Sequence, residues 1–260
     1  MSATVDVFVC VDVPDLDAGI AFYSGGLGFG PCRRFGDAFA EFGGGSVPLH
    51  LLPQPAASVP CAGGVRDYRR HWTPVHVDLV TSDLDAAVER ATPAGAVLER
   101  PITRRSWNAI AGLADPFGHG FDLLEEPEAT RVGTLDVVID VPDVARAIGF
   151  YTGGLGLRLR DTPMPDDWAR LDGAACTIHL QRVADGAYTR HWTPVHLDFL
   201  TADIDQAAAR ARSAGAILER PIESAAFGRI ASMADPFGHG FCLVALGPRG
   251  YDALDEGSTP

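Results

Sequence analysis

Residues 71–124 open as HWTPVHVDLVTSDLDAAVERATPAGAVLERPI and close as DPFGHGFDLL, and residues 191–244 open as HWTPVHLDFLTADIDQAAARARSAGAILERPI and close as DPFGHGFCLV. Aligned without a gap, 32 of the 54 positions are identical. A second block repeats as well: VDVPDLDAGIAFYSGGLGFG (11–30) against IDVPDVARAIGFYTGGLGLR (139–158). The offset is 128 residues for this block and 120 for the other, so the first half carries the longer connection, around Pro53–Arg70. That stretch is rich in Pro, Ala and Gly and reads as a surface loop. The chain is therefore a duplicated domain: residues 1–127, residues 131–247, and a polar tail over 248–260.

Within each half the pattern reads strand, helix, strands, twice over. Val5–Val13 alternates and ends at Pro14-Asp15, with Asp15 placed to cap a helix running through Ser24. Gly25-Gly26 stops that helix, and extended segments follow near 38–42 and 47–52. Then come a strand over Val75–Val80, a capped helix from Asp83 to Ala94, and strands near 96–99, 109–114 and 120–125. The hairpin Asp115-Pro-Phe-Gly-His-Gly120 carries the turn residues such a connection needs. The fold class is α+β, in four βαβββ modules.

Composition narrows the chemistry. All 21 basic residues are Arg, which excludes a lysine Schiff base, a pyridoxal-phosphate anchor and a P-loop lysine. A net charge of −13 argues against nucleic acid and anionic membrane partners. No apolar run spans a membrane, no secretory signal is visible, and five cysteines without a C-x-x-C pair fit a reducing, cytoplasmic setting. There is no G-x-S-x-G elbow and no H-E-x-x-H. The G-G-L-G pairs follow a helix instead of opening one, so they cap and do not cradle phosphate. The eight histidines are four positions used twice: 50/179, 71/191, 76/196 and 119/239.

The V-P-D-[helix]-F-Y-x-G-G-L-G block, the V-H-x-D-[FL]-x-x-x-D-[LI]-D block and the closing D-P-F-G-H-G-F resemble the vicinal oxygen chelate superfamily. Glyoxalase I, extradiol dioxygenases, fosfomycin-resistance proteins and bleomycin-binding proteins belong to it. The resemblance covers nearly the whole chain twice. It implies paired βαβββ modules, each pair curling into a half-open barrel of mixed sheet around a small-molecule site, but it does not name a reaction. It also implies metal-ligand positions: His76 and His196 on the strand opening the second module of each half, and His50 and His179 on the last strand of the first module. The closing-strand position falls at Asp122 and Cys242, and the opening-strand position at Phe8 and Asp136. Grouped by half, these give His50, His76 and Asp122 in one set, and Asp136, His179, His196 and Cys242 in the other. The family's usual closing-strand Glu and opening-strand His are absent from both.

Imidazole and carboxylate together suit a divalent metal such as Zn, Fe, Ni, Co or Mn. Asp78 and Asp198 lie two residues beyond the candidate histidines, on the same strand face, where each can be ligand, ligand support or general base. The plainer alternatives are hydrogen-bonded core histidines at 76/196, core packing at 50/179, a small buried apolar residue at Cys242 and surface exposure of Asp136. His119 and His239, in the hairpin turn, read as structural or exposed. His71/His191, and the tryptophans Trp72, Trp192 and Trp107, are candidates for a cavity rim where an aromatic ring stacks on a ligand.

The leading expectation is a metal-dependent, glyoxalase-like enzyme, lyase or isomerase before dioxygenase, acting on a small oxygenated molecule as monomer or homodimer. The alternative is a non-catalytic antibiotic-binding protein of the bleomycin-resistance type. The acidic surface favours a cationic drug for that role.

Overall fold

The computed structural model describes residues 5–61, 64–71, 73–106, 108–126, 134–172, 176–184, 188 and 190–257. Trp72 and Trp107 lie outside the described residues. The four expected modules are present. The first contains β1 (Val7–Val13), α1 (Leu16–Ala21), β2 (Cys32–Phe35), β3 (Phe39–Phe42) and β4 (Leu49–Pro53). The second contains β5 (Val75–Thr81), α2 (Leu84–Ala91), β6 (Val97–Arg104), β7 (Ala109–Ala114) and β8 (Gly120–Glu125). The third contains β9 (Thr134–Val141), α3 (Val144–Gly149), β10 (Arg158–Met164), β11 (Trp168–Asp172) and β12 (Ile178–Arg182). The fourth contains β13 (Val195–Leu200), α4 (Ile204–Ser213), β14 (Ile217–Leu218), β15 (Glu223–Ala225), β16 (Gly228–Ala234) and β17 (Gly240–Leu246).

Each helix starts where an aspartate accepts from a backbone N–H three residues on: Asp15, Asp83, Asp143 and Asp203. The first and third helical runs end at their Gly-Gly pairs, as the sequence suggests, but not as α-helix throughout. Each continues as a wider turn, Phe22–Gly26 and Phe150–Gly154, before Gly28 and Gly156 leave it with positive φ. The glycines admit the neighbouring helix: a Cβ on Gly26 would meet that of Ala94 at 2.8 Å, and one on Gly154 that of Ala214 at 2.9 Å. Arg90 and Arg210 then donate to the Gly26 and Gly154 carbonyls.

The sheets do not follow the halves. One sheet has the order β14-β16-β17-β13-β1-β4-β3-β2, and the other β10-β11-β12-β9-β5-β8-β7-β6. The first sheet thus joins the first module to the fourth through antiparallel β1 and β13; the second joins the second to the third through β5 and β9. Among the described residues the outer strands of each sheet do not pair with each other, so both sheets curl without closing. Alternation along each central strand sends one face (Val9, Val11, Val77, Ile139, Leu197) into a shared core beneath the helices. The other face, Phe8, Cys10, His76, Asp78, Asp136, His196 and Asp198, lies in the concavity. Among the described residues no helix is long and apolar enough to cross a membrane.

The D-P-F-G-H-G hairpins are structural. Asp115 Oδ1 accepts from the Phe117 and His119 amides at 2.8 and 2.9 Å, while Oδ2 accepts from Tyr23 Oη at 3.1 Å and lies 3.0 Å from His119 Nδ1. Asp235 accepts likewise from the Phe237 and His239 amides and Tyr151 Oη, all at 2.8 Å, while the His239 ring places Nε2 2.8 Å from the Asp140 carbonyl instead. His119 and His239 are accordingly buried, not exposed. Asp115→Ala strands several buried donors and is expected to cost about 2–4 kcal/mol, measurable by urea denaturation. A loss below about 0.5 kcal/mol would mean that the knot does not stabilise the hairpin.

Candidate functional site

The sheet pairing regroups the candidate residues. His50 and His76, expected together, stand on different sheets, as do His179 and His196. In the second sheet His76, Asp122, Asp136 and His179 share one cavity of about 1010 Å³. In the first sheet the equivalent positions are Phe8, His50, His196 and Cys242. Proximity in sequence suggested grouping by half, but the antiparallel β1–β13 and β5–β9 seams decide which strands share a concave face.

The floor of the larger cavity is a row of three carboxylates. Asp136, Asp78 and Asp122 are direct neighbours across β9, β5 and β8. One step along β5, His76 places a ring nitrogen 3.8 Å from Asp78 Oδ1. The ligating atoms of His76, Asp78 and Asp122 all lie within 4.8 Å of one another, a spacing that a single cation can bridge. On β12, His179 Nε2 lies 3.4 Å from Asp136 Oδ2, and Trp168 Nε1 donates to His179 Nδ1 at 3.1 Å. That bond makes Nδ1 the acceptor and leaves Nε2 facing the carboxylate.

Two flanking residues support this floor and carry no motif of their own. Arg100 on β6 donates to Asp122. It crosses above Gly112, where a Cβ would meet Arg100 Nε at 2.3 Å, so a side chain there would push the guanidinium off this path. Asp136 accepts the Thr177 amide at 2.9 Å. Asp78 has no such help: it is 8% exposed and its Oδ1 has no hydrogen-bond partner. Burial, followed by the facing charges of Asp122 and Asp136, holds its carboxyl well above the usual carboxylate range. Burial also lowers His76, which favours a neutral ring with a lone pair to offer.

The first sheet's concavity is filled differently. His50 is 2% exposed, 2.9 Å from Glu41 Oε2, and packed against Phe8 and Phe39 at centroid distances of 4.7 and 4.9 Å. The tail is not loose: Gly250–Gly257 forms a 3-10 helix whose Tyr251 ring enters this cluster, 5.4 Å from His50 and 4.9 Å from Phe39. What remains is a cleft of about 200 Å³ holding Asp12, His196, Cys242 and Trp192. Trp192 Nε1 donates to Asp12 Oδ2 at 2.7 Å, and its ring lies 5.6 Å from His71 and 5.1 Å from Tyr68, which ties it into the fold. His71 and His191 line a separate surface depression beside Arg69, Arg70 and Arg190.

Comparison with known proteins agrees with the duplication. The profile of the Glyoxalase-like domain matches residues 8–124 and again 136–244. The anthracycline biosynthesis protein DauV of Streptomyces sp. (strain C5) is 30% identical over 201 residues, covering 72% of this chain and 70% of that protein. DnrV of Streptomyces peucetius, with the same description, matches to the same extent. Glyoxalase I from Zea mays superposes with a TM-score of 0.70 at 21% identity, over 96% of this chain and 93% of that one. A putative dioxygenase from Bacillus subtilis gives 0.62 at 14% identity, covering 96% and 88%. These two structures speak for the fold alone.

Proposed function

The chain belongs to the glyoxalase-like domain family, twice over, and from that premise we propose that it is a metal-dependent lyase or isomerase working in the second-sheet cavity. The observation that carries this is the cluster of His76, Asp78 and Asp122, with ligating atoms within 4.8 Å of one another and the buried Asp78 Oδ1 without a partner, in a cavity that Asp136 and His179 also line. One imidazole, His76, and a row of carboxylates fit a divalent cation such as Zn, Fe, Ni, Co or Mn. A cation at that place offsets the charge that now lifts the Asp78 carboxyl. When bound, it polarises substrate oxygens and stabilises negative charge developing on them.

The chain's own groups supply the rest. Asp78, with a carboxyl that keeps its proton more readily than an exposed aspartate, accepts and returns a proton at a carbon beside a carbonyl. Trp168 and the apolar residues Val80, Val138, Ile110 and Leu124 give the walls a surface for a flat ring. Arg100, Arg160 and Arg170, each paired with an aspartate, also line the cavity and offer N–H donors to oxygen-rich substituents. The volume suits a polycyclic ligand, and the curated relatives are named for anthracycline biosynthesis, so the substrate class we favour is an oxygenated polycyclic aromatic.

The test is metal content of protein purified without chelators, together with proton exchange from hydroxyketone and hydroxyquinone substrates in deuterated water. His76→Ala and Asp122→Ala are expected to lose one metal equivalent and the exchange activity together. Unchanged metal content with unchanged exchange overturns the proposal. Stoichiometric binding of a cationic polycyclic drug without turnover would replace it with a ligand-sequestering role.

A further inference from the structure

The first-sheet cavity holds chemistry with no part in that reaction. Cys10 on β1 stands opposite His196 on β13, and Cys242 on β17 stands opposite Asp198 on β13. The ligating atoms of Cys10, His196 and Asp198 lie within 4.8 Å of one another. Asp198 Oδ1 is buried without a hydrogen-bond partner, and the Asp198 residue is 7% exposed. Burial, followed by the Asp198 carboxylate, pushes both thiols well above their ordinary pKa.

Comparison with the second sheet shows what differs. There the positions of Cys10 and Cys242 are taken by Val138 and Asp122, an apolar group and a hard oxygen donor. The exchange therefore moves the donor set from oxygen and nitrogen toward sulfur, which favours zinc-class metals over magnesium or manganese. The cavities also differ in access: one is wide, while the other is reduced to a cleft with Tyr251 seated in its aromatic part. Closed four-donor sites of cysteine and histidine hold structural zinc, whereas catalytic sites keep a position open for substrate.

We propose that the first-sheet cavity is a second, separate metal site, held by Cys10, His196 and Asp198 with Cys242 as fourth donor, that takes Zn²⁺ and serves structure. Each thiol that ligates releases its proton to solvent, so uptake weakens as pH falls.

The experiment is titration of chelator-treated protein with Co²⁺, read by the thiolate-to-cobalt charge-transfer absorption. Wild type is expected to develop this band at one equivalent, and Zn²⁺ is expected to bleach it. His76→Ala keeps the band while losing turnover, which separates this site from the catalytic one. Cys10→Ser weakens the band, the Cys10→Ser/Cys242→Ser double variant loses it, and both keep turnover. Absence of the band in wild type, or its survival in the double variant, overturns the proposal and leaves the catalytic assignment untouched. Should Cys10→Ser fail to fold, Cys242→Ser and the alkylation rate of wild-type thiols give the same answer. Zn²⁺ must slow labelling of Cys10 and Cys242; unchanged labelling refutes the site.

Discussion

Asp78→Asn is expected to lower turnover by about 10²–10⁴-fold, the usual contribution of a positioned acid–base group, while raising the stability of the metal-free protein at neutral pH. The two effects have one cause. Asp78 is buried between Asp122 and Asp136, and its folded pKa is raised above the unfolded value. A carboxyl raised in this way contributes its stability fully at pH below the unfolded value and loses it as pH rises through the folded value. Above that value the wild type carries a buried, unpaired charge that asparagine does not. Thermal melts in chelator from pH 4 to 8 should therefore find the two proteins converging in acid and separating as pH rises, with the variant on top. Added metal should narrow the gap, because only the wild type carries the Asp78 charge for the cation to offset. Turnover within tenfold of wild type would remove Asp78 from the reaction; parallel melting curves would remove the buried charge.

The fold was largely legible because the chain repeats itself. A duplicated strand–helix pattern with aspartate caps specifies four modules, and strands 109–114 and 120–125 coincide with β7 and β8. What the repeat could not convey is which modules share a sheet. Identical halves are compatible with pairing within or between them, and the choice lies in long-range ladders such as Val9 with Leu197 and Val77 with Val137. The site inherited that ambiguity. Each candidate histidine lies on a concave face or, at 50, on a strand of it, but their partners were misassigned until the seams were known.

Other parts of the site had weak signals in the sequence. Cys10 follows Phe8 by two residues and so shares its face by strand alternation, yet a lone cysteine among valines also reads as a core residue. Trp168 sits in a strand that the short alternation Trp-Ala-Arg-Leu-Asp could have suggested. Arg100 gave none, because its reach to Asp122 passes over a glycine on the neighbouring strand, a pairing that no local pattern announces. Tyr251 lies in a segment whose Asp, Glu, Gly and Pro content reads as solvated tail, and its docking depends on a surface assembled from both halves.

That docking carries the second large effect. Tyr251 brings its ring centroid to 4.9 Å from Phe39, 5.1 Å from Phe227, 5.4 Å from His50 and 6.0 Å from both Phe8 and Phe35. Burial pushes its phenol well above the ordinary value, as expected of a hydroxyl drawn in among rings. Removal of a large aromatic from a packed cluster costs about 3–5 kcal/mol when the ring is fully buried. Tyr251 is only half-buried, so Tyr251→Ala should cost less, about 2–3 kcal/mol. The adjoining Arg33–Asp252 ion pair, 2.7 Å long and solvent-exposed on both sides, adds little to this. Tyr251→Phe keeps the ring contacts and should retain most of the stability, whereas Asp252→Ala should change it by less than about 1 kcal/mol. Because the ring enters only the first-sheet cluster, turnover in the second-sheet cavity at a temperature where Tyr251→Ala remains folded should match wild type. Equal stability of Tyr251→Ala and wild type in urea would show that the tail rests on the cavity without holding it shut. A parallel loss of turnover would show that the two sheets are coupled through their shared core.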